Sequence, residues 1–227
     1  MNLKELSARQ ALAYVRDDMV LGLGTGSTHA YFLELLGEQL QTGALTGIVG
    51  VPTSEGTAGR ARALGIPLAK LADHARLDLV VDGADEVDSD LNLIKGLGRA
   101  LLREKIVEIH ADRFVVVVDE SKMVERLGRG PFPVDVVPFG LEAQLRWLNT
   151  LGCRAELRLE KDGSPVITDD GNYMALCRFP DGIVDAYALA RVLADRPGIA
   201  EHGLFLDMAT DVIIAGTEGI RVLSREG

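Results

Sequence analysis

The sequence predicts an α/β fold: a Rossmann-like, mostly parallel sheet with helices on both faces, carrying a small α+β lobe. Three observations predict it. Short apolar runs ending in small or polar residues alternate with helical patterns, as in successive βαβ units. The runs Leu77-Asp78-Leu79-Val80-Val81 and Phe114-Val115-Val116-Val117-Val118 are nearly unbroken, as in strands buried on both faces. Beyond Gly128 the pattern changes to strict alternation, which marks a half-exposed antiparallel strand.

In chain order, Met19-Val20-Leu21-Gly22-Leu23-Gly24 reads as a strand entering a turn. Ser27 or Thr28 then caps a helix whose inner face carries Tyr31, Phe32, Leu35 and Leu36. Ile48-Val49-Gly50-Val51 is a second strand ending at Pro52-Thr53-Ser54, and a helix follows to about Leu64, stopped by Gly65 and Pro67. The third and fourth strands are the two runs named above, ending at Asp82-Gly83 and Asp119. A helix is expected from near Gly98, with Leu102, Ile106 and Ile109 as its apolar stripe. Arg129-Gly130-Pro131-Phe132-Pro133 reads as a linker. Cys153 to Leu159 is an alternating strand, Lys161-Asp162-Gly163-Ser164 a hairpin turn, Met174 to Phe179 a strand and Asp185 to Leu193 a helix. Val212-Ile213-Ile214-Ala215-Gly216 is a last buried strand that returns to the first sheet. The expected division is 1–130 with 204–227 as the α/β domain and 131–203 as the small lobe, which is also the candidate oligomer contact.

Composition narrows the function. The 227 residues are 47% hydrophobic and 26% charged, ordinary for a folded chain. The net charge of −10 disfavours nucleic acid and anionic membrane surfaces, so neither is an expected partner. A small anionic substrate requires a positive field built locally. The two cysteines, Cys153 and Cys177, give no disulfide framework, and reduced thiols in the cytoplasm are expected. Residues 1–18 mix charged and apolar positions without the apolar core of a signal peptide, and no uncharged run approaches the roughly 18–20 residues of a membrane span.

Ligands of open α/β sheets bind beyond the carboxyl ends of the strands, and here those ends read GTGST, PTS, DGAD and DESK. Gly22-Leu23-Gly24-Thr25-Gly26-Ser27-Thr28 is a glycine-rich turn into a helix, which offers free N–H groups and a positive dipole end to an anion. Ser27 stands where a dinucleotide fingerprint has its third glycine, and no P-loop lysine follows, so a single phosphate fits better than a pyrophosphate. The alternative is a tight strand–helix turn without a ligand. Asp82 to Asp90 holds five carboxylates in nine residues. Asp82 and Asp85 suit proton transfer or hydroxyl binding. The competing readings are a calcium loop, disfavoured by Leu91 and by the preceding strand, and a solvated acidic loop, which suits Asp88 and Asp90. Lys122 is either a point charge for a phosphate or a solvent-facing lysine. Glu104 lies nine residues after Lys95, which on one continuous helix is half a turn out of phase at about 100° per residue. Periodicity alone makes Glu104 a surface residue. The four histidines have no ligand spacing, and His29 is expected to pack or cap.

Taken together and in order, GLGTGST, TSEGT, DGADEVD, KGLGRALLREK, VVDESKMVERLG, FPVDVVPFG, TDDGNYM and HGLFLDMATDVIIAGTEGIRVL resemble the landmarks of the type A ribose-5-phosphate isomerases. The resemblance covers nearly the whole chain. It implies a Rossmann-like domain with a ferredoxin-like lobe, dimeric or tetrameric assembly, and metal-independent, cofactor-free interconversion of D-ribose 5-phosphate and D-ribulose 5-phosphate through an enediolate. It implies Glu104 as catalytic base, with Asp82 and Lys95 assisting. It implies substrate contacts from Thr25, Gly26, Ser27, Thr28, Asp82, Gly83, Ala84, Asp85, Lys95, Gly96, Leu97, Gly98, Lys122 and Lys4. Leu97 and Arg99 depart from the family's fuller glycine run. Two rival readings find less support. A phosphosugar-sensing regulator calls for a DNA-reading domain ahead of Gly22, and an acyl-CoA transferase subunit calls for a larger acyl-carrier site.

Overall fold

The computed structural model describes residues 2–225. Helices are α1 (Leu3–Ala11), α2 (Ser27–Thr42), α3 (Glu55–Ala63), α4 (Leu101–Glu108), α5 (Leu141–Leu148) and α6 (Ala186–Ala194). Strands are β1 (Val20–Leu23), β2 (Val49–Pro52), β3 (Leu79–Asp82), β4 (Glu86–Val87), β5 (Leu93–Ile94), β6 (Phe114–Asp119), β7 (Phe132–Val136), β8 (Arg154–Leu157), β9 (Tyr173–Arg178), β10 (Ile199–His202), β11 (Leu204–Phe205), β12 (Asp211–Gly216) and β13 (Gly219–Ser224).

Six strands form the main sheet in the order β13-β12-β6-β3-β1-β2, parallel except for β13. The expected last strand, β12, does return beside β6. Alternation along the strands sends Leu21, Leu23, Leu79, Val81, Val115, Val117 and Ile213 into one core with Ala8 and Ala11 of α1 and Phe32 and Leu36 of α2. On the other face Gly22 lies against Val80 and against Val107 of α4. Helices therefore cover both faces, which is why the strands are apolar at successive positions.

The chain forms two compact units. One comprises residues up to Ala84, Arg103–Lys122 and the chain from Asp207; the other comprises Asp85–Leu102 and Met123–Leu206. The second unit holds a four-stranded antiparallel sheet, β10-β7-β9-β8, and a three-stranded sheet, β11-β5-β4. This differs from the division expected at residues 131 and 203. The strands β4, β5 and β11 are two residues each, too short to leave a pattern, and they carry 85–102 into the second unit. Glu86 seals that attachment, because its carboxylate accepts the N–H groups of Gly128, Arg129 and Gly130.

The expected linker is also corrected. Phe132 and Pro133 begin β7, an inner strand of the four-stranded sheet. Pro133 has no N–H to donate, and β10 ends its pairing at Val134, so the proline costs the ladder nothing on that side. The hairpin turn at 161–164 is present, with Glu160 N–H donating to Ser164 O at 2.8 Å. Asp185 caps α6 by accepting from Ala188 N–H at 2.9 Å. Both cysteines are buried free thiols.

One strand of the second unit carries a charge problem. Asp135 points away from the core residues Val134 and Val136, yet only 1% of it is exposed, and neither carboxyl oxygen has a hydrogen-bond partner among the described residues. Burial raises its pKa to about 7, helped by Asp170 and by Glu201, its cross-strand neighbour on β10. The folded chain thus holds a proton that the unfolded chain releases near pH 4. That contribution to stability is complete below about pH 4 and is lost as pH rises through about 7, up to about 4 kcal/mol in all. Asp135→Asn has no proton to lose. Its thermal midpoint, followed by circular dichroism, is expected to pull ahead of the natural chain's between pH 5 and 8. Parallel profiles for the two proteins would disprove the assignment.

Candidate active site

The first unit's parallel sheet reverses strand order between β1 and β3: β2 follows β1 on one side and β3 lies on the other. Open α/β sheets bind ligands at the carboxyl ends flanking such a point. Here the two strand ends are Leu23-Gly24-Thr25 and Val81-Asp82, joined by Gly24 N–H donating to Val81 O at 3.1 Å.

Asp82 is fully buried, and two backbone donors fix it: Thr25 N–H at 3.0 Å and Gly83 N–H at 2.7 Å, both to Oδ1. The side chain lies directly on Gly24, where a Cβ would stand 2.1 Å from the Asp82 carboxyl carbon. Only glycine permits that approach. The two N–H groups give the Asp82 carboxyl a set orientation, which a proton relay requires.

The glycine-rich turn opens α2 differently from expectation. Neither Ser27 nor Thr28 is the cap; the N-cap is Gly26, at φ 125° and ψ 177°, a conformation reserved for glycine. No side chain caps α2 and its first turn holds no acidic residue, a helix start whose N–H groups and dipole end are of the kind that attracts anions. A cation joins them. Asn2 caps α1 through Lys4 N–H at 3.1 Å and donates to the Tyr31 hydroxyl on α2 at 2.6 Å. That docking carries the Lys4 ammonium to the Ser27 hydroxyl at 2.8 Å. Lys4 and Ser27 therefore meet directly after the Gly26 cap of α2.

Glu104 corrects the reading from periodicity. It is 2% exposed, whereas the supposed core stripe turns outward, with Ile106 at 40% and Ile109 at 59%. The buried face of α4 is Leu101, Glu104, Val107 and Glu108. Hydrophobic periodicity misleads where a helix buries acidic residues and exposes apolar ones, as α4 does. Glu108, one helical turn beyond Glu104 and 3% exposed, escaped the sequence reading altogether. Gly83 and Ala84 follow Asp82 at the end of β3, half-buried. Lys122 is half-buried at the end of the short turn Glu120–Lys122 that follows β6. His29 packs as expected, buried with its ring 5.5 Å from that of Phe32.

Asp85, Lys95, Gly96, Leu97 and Gly98 belong to the second unit. Asp85 accepts from Leu97 N–H at 2.9 Å and its own N–H donates to Ile94 O, so these segments form one loop pair. Lys95 is 2% exposed, with its ammonium 5.5 Å from the centre of the Phe205 ring. Arg99, where the expected glycine run is interrupted, has φ 76°, a left-handed value that suits glycine; its guanidinium is anchored by both oxygens of Glu160. Among the described residues no group of three or more His, Cys, Asp or Glu side chains is arranged to hold a metal ion.

Sequence reasoning also missed a hydroxyl cluster behind the glycine turn. Thr25 Oγ1 lies 2.8 Å from Thr53 Oγ1, 2.9 Å from Ser54 Oγ and 3.1 Å from Thr57 Oγ1. The clue was available: β1 and β2 are neighbours, and both end in hydroxyl residues.

Known proteins are similar to this chain in sequence and in fold. The family model of ribose 5-phosphate isomerase A (phosphoriboisomerase A) matches residues 49–219. A ribose-5-phosphate isomerase A of Rhodopseudomonas palustris is 50% identical over 232 residues, covering 98% of this chain and 97% of its own. That of Roseiflexus castenholzii is 52% identical over 215 residues, covering 94% and 92%. A solved D-ribose-5-phosphate isomerase in complex with phospho-erythronic acid superposes with a TM-score of 0.96 at 45% identity, over 99% of this chain and all of the other. The ribose 5-phosphate isomerase of Plasmodium falciparum has the same TM-score at 36% identity, over 99% of each chain. With sequence and fold in agreement over nearly the whole chain, it belongs to the ribose 5-phosphate isomerase A family.

Proposed function

We infer that this chain interconverts D-ribose 5-phosphate and D-ribulose 5-phosphate, a step of the pentose phosphate pathway. The observation that carries the reading is Glu104, a carboxylate buried on α4 at the expense of apolar residues on the same helix. Aldose–ketose isomerisation moves the C2 hydrogen to C1 and the O2 hydrogen to O1. Both travel as protons and no electron leaves the sugar, so the reaction calls for a base and a proton relay and for no redox cofactor. Glu104 takes the C2 proton and returns it to C1 of the planar enediolate. Asp82, oriented by Thr25 and Gly83 N–H groups, shuttles the hydroxyl proton and assists ring opening. Lys95 stabilises the negative oxygen of the enediolate; one such preorganised donor contributes roughly 3–4 kcal/mol. Asp85 and the backbone of Gly83, Ala84 and Gly96 to Gly98 hold sugar hydroxyls. The phosphate sits on the open start of α2 at Gly26, Ser27 and Thr28, with Lys4 and Lys122 as cations. This resolves the charge paradox of an acidic protein with an anionic substrate. Phospho-erythronic acid, the ligand of the related enzyme, presents a planar carboxylate where the enediolate has its two oxygens, and supports the same reading.

The purified chain is expected to form ribulose 5-phosphate from ribose 5-phosphate with EDTA present; absence of product overturns the assignment. Lys4→Met tests the phosphate site. Loss of one charge-assisted hydrogen bond is expected to raise KM about 10- to 100-fold with kcat within about threefold, read from initial rates. An unchanged KM would move the phosphate elsewhere. We further propose a cytoplasmic homodimer or homotetramer with residues 131–203 as the contact. Phe139 at 91% and Val184 at 84% exposure in that segment support such a contact, and no helix among the described residues is long and apolar enough to cross a membrane.

A further inference from the structure

We propose that Arg158 is a positioning residue, which aims and polarises the Gly98 N–H as a donor to the anionic oxygen of the enediolate. This rests on the reading of residues 95–98 as the loop that meets the sugar. All the groups concerned lie in the second unit. Residues 96–99 form a tight turn in which Arg99 N–H donates to Gly96 O at 2.9 Å. Leu97 is gripped on both sides. Its N–H donates to the Asp85 carboxylate at 2.9 Å, and its carbonyl accepts from the Arg158 guanidinium at 2.7 Å. Lys95 N–H is taken by Gly203 O at 3.0 Å. The Gly98 N–H donates to no group among the described residues, and Gly98 is exposed.

The Leu97 carbonyl and the Gly98 N–H are the two ends of one trans peptide, so they point in opposite directions. A bond to the carbonyl therefore fixes the line along which the N–H leaves. That bond is charge-assisted. It draws electron density onto the carbonyl oxygen and makes the N–H a stronger donor, as hydrogen bonds in series polarise one another. Arg158 is itself held just beyond β8: its N–H donates to Met174 O on β9 at 2.8 Å, and its own O accepts from Val166 N–H at 2.9 Å. Its guanidinium also lies 3.2 Å from Met174 Sδ. Burial and then the neighbouring Arg99 lower its pKa, against the pull of Glu160 and Asp85, and an arginine so placed keeps its charge. Arg99 is occupied by both oxygens of Glu160, which leaves the grip on the Leu97 carbonyl to Arg158.

Arg158→Met keeps the apolar stem and removes the donors. kcat for ribose 5-phosphate is expected to fall about tenfold with KM within about threefold, because the donor meets an anion in the enediolate and a neutral oxygen in the substrate. The matched readout is binding in calorimetry. Phospho-erythronic acid carries a carboxylate where erythritol 4-phosphate has a neutral hydroxymethyl group on the same skeleton. Arg158→Met is expected to weaken the acid about tenfold and the alcohol less than threefold. Arg158→Lys, which still donates, is expected to recover most of that difference; Arg158→Gln, too short to reach the Leu97 carbonyl, replaces the methionine variant should that one fail to fold. A tether that merely holds the loop would weaken both ligands alike. Glu160→Gln loosens Arg99, leaves the Leu97 carbonyl alone and removes a negative charge, so an effect of charge through space would favour the acid. The ratio of the two affinities is expected to stay that of the natural chain. Equal weakening of both ligands in Arg158→Met, a natural ratio there, or a shifted ratio in Glu160→Gln would overturn the proposal. If the natural chain fails to isomerise ribose 5-phosphate, the assigned reaction falls, and the ratio still decides whether Arg158 equips Gly98 to hold an anionic oxygen; a natural chain that binds neither ligand rejects both.

Discussion

Glu104→Gln is expected to lower kcat by about 10³–10⁴-fold, the upper range for loss of a positioned general base. Glutamine has the size of glutamate, with one carboxylate oxygen replaced by an amide nitrogen, so the buried face of α4 stays filled and the fold is kept. What disappears is the capacity to accept a proton from carbon. Exchange of the C2 hydrogen with solvent deuterium, followed by NMR on ribose 5-phosphate, is expected to vanish along with turnover, while phospho-erythronic acid still binds in calorimetry. Loss of both binding and turnover would point to a folding defect. Retained exchange would place the base elsewhere, and Glu108, on the same helix face and equally buried, is then the residue to test.

Gly24→Ala is expected to be nearly as damaging, although it adds one methyl group. That carbon would stand 2.1 Å from the carboxyl carbon and 2.2 Å from Oδ1 of Asp82, well inside contact distance. Asp82 cannot retreat cheaply, since it is fully buried and held by Thr25 and Gly83 N–H groups. The carboxylate must leave its donors or the two strand ends must part. Overpacking of this kind costs about 1–3 kcal/mol of stability. The displacement of a proton-relaying carboxylate is expected to cut kcat/KM by about 10²–10³-fold. Gly59→Ala is the matched control. It lies in α3 with nothing within 4 Å of the added carbon, and alanine there favours the helix by about 0.5–1 kcal/mol. Equal effects of the two substitutions, measured by thermal midpoint and steady-state rates, would refute the steric account.

The parallel sheet was legible because buried strands write themselves in continuous apolar runs, as Phe114 to Val118 does. The glycine turn and Asp82 were legible for a related reason: polar residues directly after such a run have few structural excuses. Glu104 was invisible to periodicity because its helix buries acids and exposes Ile106 and Ile109. The strands β4, β5 and β11 have two residues each and leave no period to detect, which displaced the expected division of the chain. Ser27 looked like a cap because serine usually is one; here Gly26 takes the cap and no side chain caps the helix start. The hydroxyl cluster needed the pairing of β1 with β2, a contact between segments some thirty residues apart that no local pattern records.

The place of β12 has a consequence during synthesis. It pairs with β6 along Asp211–Ala215, yet it leaves the ribosome roughly ninety residues after β6 does. At about 5–20 residues per second, β6 waits about 5–20 s with one row of amides and carbonyls unmatched. Such an edge invites pairing with another nascent chain, so yield on expression should respond to temperature and to holding chaperones more than the compactness of the finished protein would suggest.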